Sequence, residues 1–266
     1  MTLALTQSVA LLGLDGHVVT VEVDIADGLP GYSLLGLPDA ALSESRDRVR
    51  SAIVNCGEVW PNRKVTVSLS PAWLPKSGSS FDLAICIALL SAHETVPTER
   101  ISEVVFLGEL SLDGKIRSVR GVLPALMAAY KAGVTMAVVP AANVEEAQLM
   151  QGMEIIPMHH LKQVLRWLRT GEREVEQQID LQWQPSDERL DFADVAGQPA
   201  ARLAAEIAAV GGHHILLIGP PGAGKTMIAE RIPTIMPALS IAQALEVTAV
   251  HSIAGTLTQR SPLSLL

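Results

Sequence analysis

Over residues 17–25 apolar and polar positions alternate with the two-residue period of a strand. Val19, Val21 and Val23 face one way, and Thr20, Glu22 and Asp24 face the other. With the strand-like stretch Thr2 to Leu12 and the turn residues Gly13-Leu14-Asp15-Gly16 between them, this predicts a β-hairpin. Further strands are predicted at 32–35 and at 65–69, where Val65-Thr66-Val67-Ser68-Leu69 alternates again. Between those two the pattern turns helical over 40–56. Leu42, Val49, Ile53 and Cys56 share one stripe, while Glu44, Arg46, Asp47, Arg48 and Arg50 lie off it and read as a solvated face.

Ser70 to Ser80 is rich in Pro, Gly and Ser and reads as a loop carrying Lys76. Phe81 to Ala92 is an almost wholly apolar helix, so it belongs at the centre of a domain. Val104 to Leu110 and Lys115 to Val119, joined across Asp113-Gly114, predict a second hairpin. Helix 122–132 stops at Gly133, a strand follows at 136–139, and Asn143 is expected to cap a helix running to about Met150. A strand at 154–157 and a helix at 161–170 close the series. The interleaving predicts a mixed α/β domain over 1–170. Residues 171–189, GEREVEQQIDLQWQPSDER, are charged, polar and aperiodic, and read as a linker in which Trp183 is a packing contact. A second domain is expected over 190–266, opening with a helix at 199–210.

Composition narrows the class. The chain has 266 residues, 48% of them hydrophobic, and a mean hydropathy of +0.31, yet no apolar run approaches the roughly 18 residues of a membrane span. Its N-terminus has no basic stretch ahead of the apolar residues, so a cytoplasmic chain is expected and no membrane partner. A net charge of −8 argues against a surface that is basic throughout, leaving room for a local basic patch, and aromatic residues at 3% leave little for base stacking. Cys56 and Cys86 sit in separate apolar stretches and read as free thiols. The pairs His159-His160 and His213-His214 are poor metal sites, because adjacent side chains on a strand point to opposite faces.

The chemistry concentrates at Gly219-Pro220-Pro221-Gly222-Ala223-Gly224-Lys225-Thr226, which fits G-x-x-x-x-G-K-[ST] at every fixed position. Ile215 to Ile218 is expected to enter the motif as a buried strand, and a helix beginning at about Met227 to leave it. Backbone N–H groups, freed of side chains at Gly222 and Gly224, can wrap a polyphosphate. Lys225 would reach the β- and γ-phosphates and the Thr226 hydroxyl would hold Mg²⁺. The expected ligands are ATP and Mg²⁺, with Gly219 to Met227 as the binding segment.

Phe192-Ala193-Asp194-Val195-Ala196-Gly197-Gln198, then Gly211-Gly212-His213-His214-Ile215-Leu216-Leu217, then GPPGAGKTM, together resemble the opening of the AAA+ module of the YifB/ComM family, relatives of the magnesium-chelatase ATPase subunit. Gly28-Leu29-Pro30-Gly31, Gly36-Leu37-Pro38, Arg46 to Ile53 and Phe81-Asp82-Leu83 resemble that family's N-terminal Lon-protease-like domain. The resemblance implies a Lon-like α/β domain, a P-loop AAA+ module with adenine contacts near Val195 to Gln198, a hexameric ring of self-association, and ATP-driven work on DNA such as branch migration or helicase activity.

Two departures limit what is carried over. Pro75-Lys76-Ser77-Gly78-Ser79-Ser80 puts Ser80 where Lon proteases hold their nucleophile, but Leu123 falls where the partner lysine should be. A Leu cannot accept the serine proton, so no proteolysis is expected unless Lys76, Lys115 or Lys131 substitutes. After Thr226 there is no Asp, and the only acids are Glu230 and Glu246, so the Asp-Glu strand that would orient the attacking water is missing. The expectation is a truncated product, a frameshifted reading or a fragment, with an unstable second domain and little ATP turnover. A chelatase-type remodeller of proteins, or a non-enzymatic Lon-like interaction domain with a nucleotide-binding stub, are the alternatives.

Overall fold

The computed structural model describes residues 2–173 and 190–257. Residues 174–189, most of the expected linker with Trp183 in it, and 258–266 lie outside the described residues. The described chain forms two compact units, one of residues 2–173 with 248–257 and the other of residues 190–247.

In the first unit β1 (Thr2–Leu12) and β2 (Asp15–Ala26) form the predicted hairpin, with Leu12 opposite Asp15 and Thr2 opposite Ile25. After β3 (Gly31–Leu35) come two helices, α1 (Ala40–Ser43) and α2 (Ser45–Asn55), where the sequence predicts one. The break has a local cause. The Ala41 carbonyl, which would accept the Ser45 N–H in a continuous helix, accepts Arg48 Nη2 at 3.0 Å instead.

β4 (Lys64–Ser70) then leads through the Ser/Pro/Gly loop to α3 (Asp82–Ala92), every residue of which is buried, as its apolar composition demands. Gly36, just past β3, has φ +106°, and a Cβ there would lie 2.3 Å from the Leu69 carbonyl oxygen of β4.

The expected strand 104–110 is interrupted. β5 (Val104–Phe106) joins the main sheet, whereas β6 (Glu109–Leu110) pairs with β7 (Ile116–Arg117) in a ladder of its own. Gly108, at φ +153°, turns the chain between them: its N–H donates to the Ser80 carbonyl at 3.0 Å and its carbonyl accepts the Leu83 N–H at 3.1 Å. That hook ties the strand end to the start of α3.

The unit is completed by α4 (Val122–Lys131), β8 (Met136–Pro140), α5 (Val144–Ala147), β9 (Glu154–Met158) and α6 (Leu161–Thr170). Asn143 does not cap α5 with its side chain. Its amide instead pairs with both backbone groups of Val119, at 3.1 and 2.9 Å, and donates to Glu146 Oε1 at 2.7 Å. His160, by contrast, caps α6 in a reciprocal arrangement with Gln163.

The seven-stranded sheet has the order β3-β4-β2-β1-β5-β8-β9. It is antiparallel where β4, β2 and β1 meet and parallel elsewhere: a mostly parallel sheet in the mixed α/β domain that the sequence predicts. One face carries the core built on α3, with Val19, Val21, Val23, Val65 and Val67 inward. The other carries a smaller core under α4, with Val9, Val105, Leu126 and Val139. Among the described residues no helix is long and apolar enough to cross a membrane.

The second unit contains α7 (Pro199–Gly211) and α8 (Lys225–Arg231), and α9 (Ile241–Ala254) begins in it. Its core is small: Phe192, Val195, Ala205 and Ile228 are buried, with Leu217, Met227 and Ile232 partly so. Leu203, Ile207 and Val210, spaced as one stripe of α7, are exposed.

Candidate functional site

The segment 219–227 forms a loop that closes directly onto α8. Gly222 and Gly224 have φ of +79° and +75°, the left-handed conformations that a glycine takes without strain and that let successive amides curve round one centre. Gly224 is also the N-cap of α8, and the Ile228 N–H donates to its carbonyl at 3.0 Å. The helix therefore starts at Lys225, two residues before the expected Met227. Lys225 folds back over the loop, its Nζ donating to the carbonyls of Gly219 and Pro220, both at 2.8 Å. Thr226 is exposed beside the loop, and Pro220 and Pro221 form its exposed outer turn.

The run leading into the loop corrects an expectation. Ile215 to Ile218 is not a buried strand: no described strand pairs with it, and Leu216 and Ile218 are 81% and 86% exposed. Ile215 and Leu217 are half-buried, so the alternation of a strand is kept on one side only. A strand needs a neighbour for its backbone groups, and the described second unit supplies helices alone.

Gln198 touches the loop from outside. It sits in the left-handed region (φ 51°, ψ 52°) as the N-cap of α7, ahead of Pro199. Its Nε2 donates to the Ala223 carbonyl at 3.2 Å. The same atom lies 2.7 Å from where a Cβ on Gly224 would stand.

In the first unit a groove of about 500 Å³ runs between the Ser77–Ser80 loop and residues 118–122, over an apolar floor of Val9, Leu11 and Leu107. Ser80 lines it. Leu123 is buried and turned into the core, its N–H donating to Glu146 Oε2 at 3.3 Å. Lys76 is buried too, with its Nζ bonded to the carbonyls of Leu69, at 2.9 Å, and Pro71. Lys115 pairs with Asp113 at 3.2 Å, and Lys131 is exposed on α4.

Three polar arrangements near this groove escape a sequence reading. Ser79 Oγ donates to Glu109 Oε2. Glu146 gathers Asn143, the Leu123 N–H and the Ser252 hydroxyl. Arg48 is not part of a solvated face: its Nε and Nη2 grip Asp82 at 2.6 and 2.9 Å, and the Leu110 N–H adds a third bond at 3.2 Å. Burial pushes the Asp82 carboxyl up to about 6, although Arg48 and the Leu110 N–H oppose the rise. The one visible signal was a lone acid in an almost wholly apolar helix. Cys56 and Cys86 are free thiols, half-buried and buried. Among the described residues no three His, Cys, Asp or Glu side chains converge on a metal position.

Two family profiles match the chain: one described as subunit ChlI of Mg-chelatase over residues 21–143, and one described as magnesium chelatase, subunit ChlI, over 191–265. The uncharacterized protein Rv2897c of Mycobacterium tuberculosis is 51% identical over 263 residues, which cover 99% of this chain and 52% of that protein. The uncharacterized protein YifB of Escherichia coli is 41% identical over 253 residues, 95% of this chain and 50% of YifB. The chain belongs to the YifB/ComM family. The competence protein ComM of Haemophilus influenzae completes the picture at 36% identity over 258 residues, 95% of this chain and 50% of ComM. A weaker match to Lon protease 1 of Myxococcus xanthus, 27% identical over 165 residues, covers 58% of this chain and 20% of that protease and agrees with a Lon-like α/β fold. The chain thus spans about half the length of its YifB and ComM relatives.

Proposed function

We propose that this YifB/ComM chain binds ATP with Mg²⁺ through Gly219 to Met227. The observation that carries the reading is the pair of left-handed glycines, Gly222 and Gly224, on either side of Ala223 in a loop that runs into Lys225 and Thr226. The ammonium of Lys225, now on two loop carbonyls, would exchange them for phosphate oxygens, which as anions are the stronger acceptors. The exposed Thr226 hydroxyl suits Mg²⁺, a hard ion that takes oxygen donors and shares phosphate oxygens.

Turnover by the chain itself would be low. The acids after Thr226 are Glu230 and Glu246, both exposed on helices, and neither ends a strand that could hold an attacking water. The Lon-like unit would not cut peptides, because Leu123 fills the base position and Lys76 is committed to two carbonyls.

In a protein of the relatives' full length, the remaining half would cover the bare stripe of α7 and the bare side of 215–218, and ring assembly in the cytoplasm would follow. Work on DNA is favoured over chelatase-type remodelling of a protein by the name competence protein borne by ComM. ATP turnover of a full-length relative with and without DNA separates the two.

The direct test is titration of the 266-residue chain with a fluorescent ATP analogue in the presence of Mg²⁺. Lys225→Ala is expected to weaken binding about thirtyfold, the worth of a hydrogen-bonded charge. Equal affinity in the two proteins would sink the assignment.

A further inference from the structure

Resting on the nucleotide-binding reading above, we infer that Gln198 is a positioning residue of the phosphate loop: its side-chain amide holds the Ala223 carbonyl outward so that the following N–H faces the phosphates. The peptide joining Ala223 to Gly224 is the weak point of the cradle. It turns about ψ of Ala223 and φ of Gly224, and Gly224, at φ +75°, has no Cβ to oppose the turn on its side. Flipped, it would point a carbonyl oxygen at the anion and turn an N–H away, replacing an attraction by a repulsion. The bond from Gln198 Nε2 to the Ala223 oxygen, 3.2 Å long, opposes that rotation from the outer side.

The placement of Gln198 fits the task. As N-cap of α7 it makes no capping hydrogen bond with its side chain, so the amide is free for the loop. Its backbone carbonyl accepts the Arg202 N–H at 3.0 Å, and Pro199 follows at the first helical position, which pins the residue to α7. A non-glycine residue in the left-handed region is strained. Glycine would relieve that strain at position 198, so Gln198 stands there against backbone preference. A Cβ at Gly224 would stand 2.7 Å from Nε2, so any side chain there would push the amide off its place on the loop.

Two variants of the full 266-residue chain test this. Gln198→Gly removes the amide while relaxing the backbone, and Gln198→Met keeps the side-chain length without the donor. Both are expected to bind the fluorescent ATP analogue about threefold to fivefold more weakly, the scale of one neutral, solvent-touched hydrogen bond. Thermal unfolding should be unchanged or, for Gln198→Gly, raised, whereas a merely structural role would lower it. In the nucleotide-free chain, ¹⁵N relaxation should show the Gly224 amide passing from ordered to mobile, with its order parameter falling below about 0.6.

This second readout is independent of the ligand. Should the unaltered chain bind no nucleotide, the reading under Proposed function fails, and the relaxation data still decide what Gln198 does to the loop. Unchanged order at Gly224 in both variants would overturn the inference, and so would unchanged affinity in a chain that binds.

Discussion

Asp82→Ala is expected to lower the unfolding free energy by about 3 kcal/mol or more, the range seen when one partner of a buried ion pair is removed. Asp82 has no exposed side-chain surface, and it accepts two hydrogen bonds from Arg48 and one from the Leu110 N–H. Without it the guanidinium, 19% exposed, is left with the Ala41 carbonyl, the Glu44 carboxylate at 3.7 Å and the more remote charge of Glu109. Urea unfolding of the two proteins measures the difference. A loss under about 1 kcal/mol would mean that Arg48 swings out to water once released.

The same group has a pH signature. Its folded-state pKa of about 6 lies above the ordinary aspartate value of 3.8, so the folded protein takes up the proton more readily than the unfolded chain. The contribution of Asp82 is therefore fullest below about pH 4 and is lost as the pH rises through about 6. Against an Asp82→Asn reference, which cannot ionise, the unaltered protein should lose relative stability between about pH 4 and 7. A relative gain over that interval would show that Arg48 outweighs burial.

Gly36→Ala is the second large effect, at about 3 kcal/mol. Two penalties coincide there: φ of +106°, which L side chains rarely adopt, and a Cβ 2.3 Å from the Leu69 carbonyl oxygen. That oxygen belongs to β4 and already accepts the buried Lys76 ammonium, so it cannot retreat cheaply. Gly133→Ala separates the penalties, because Gly133 has φ +90° with nothing within 4 Å of its Cβ position. It should cost about 1 kcal/mol, the backbone term alone. Equal melting shifts in the two variants would show that the close approach to Leu69 carries no weight.

Much of the first unit was legible because its signals are local. The alternation of β2, the apolar run of α3 and the Gly13-Leu14 turn each follow from residues a few positions apart. The turn at 219–224 was legible for the same reason, its glycines being read one by one. What escaped were partnerships across long separations. Arg48 and Asp82 stand 34 positions apart, and periodicity assigns a side chain to a face without saying what charge waits there. The break at Glu44 followed from that same arginine reaching Ala41. Asn143 had the composition of a cap, but a backbone segment 24 residues earlier took its amide first. The segment 215–218 failed in the opposite way: its local pattern is that of a strand, and a strand is a relation between segments.

That bare segment has a calorimetric consequence. A phosphate loop hung from a hydrogen-bonded sheet is stiff before its ligand arrives, whereas the loop at 219–224, proposed above to take ATP, is held by Leu217, Met227 and a handful of buried side chains. Ordering it must then be met from the ligand's own interaction enthalpy. ATP binding to this chain should be driven by heat release against an unfavourable entropy. If apolar surface such as that of Leu216 and Ile218 is drawn in as the loop tightens, the enthalpy will become more negative with temperature, the mark of a negative heat-capacity change.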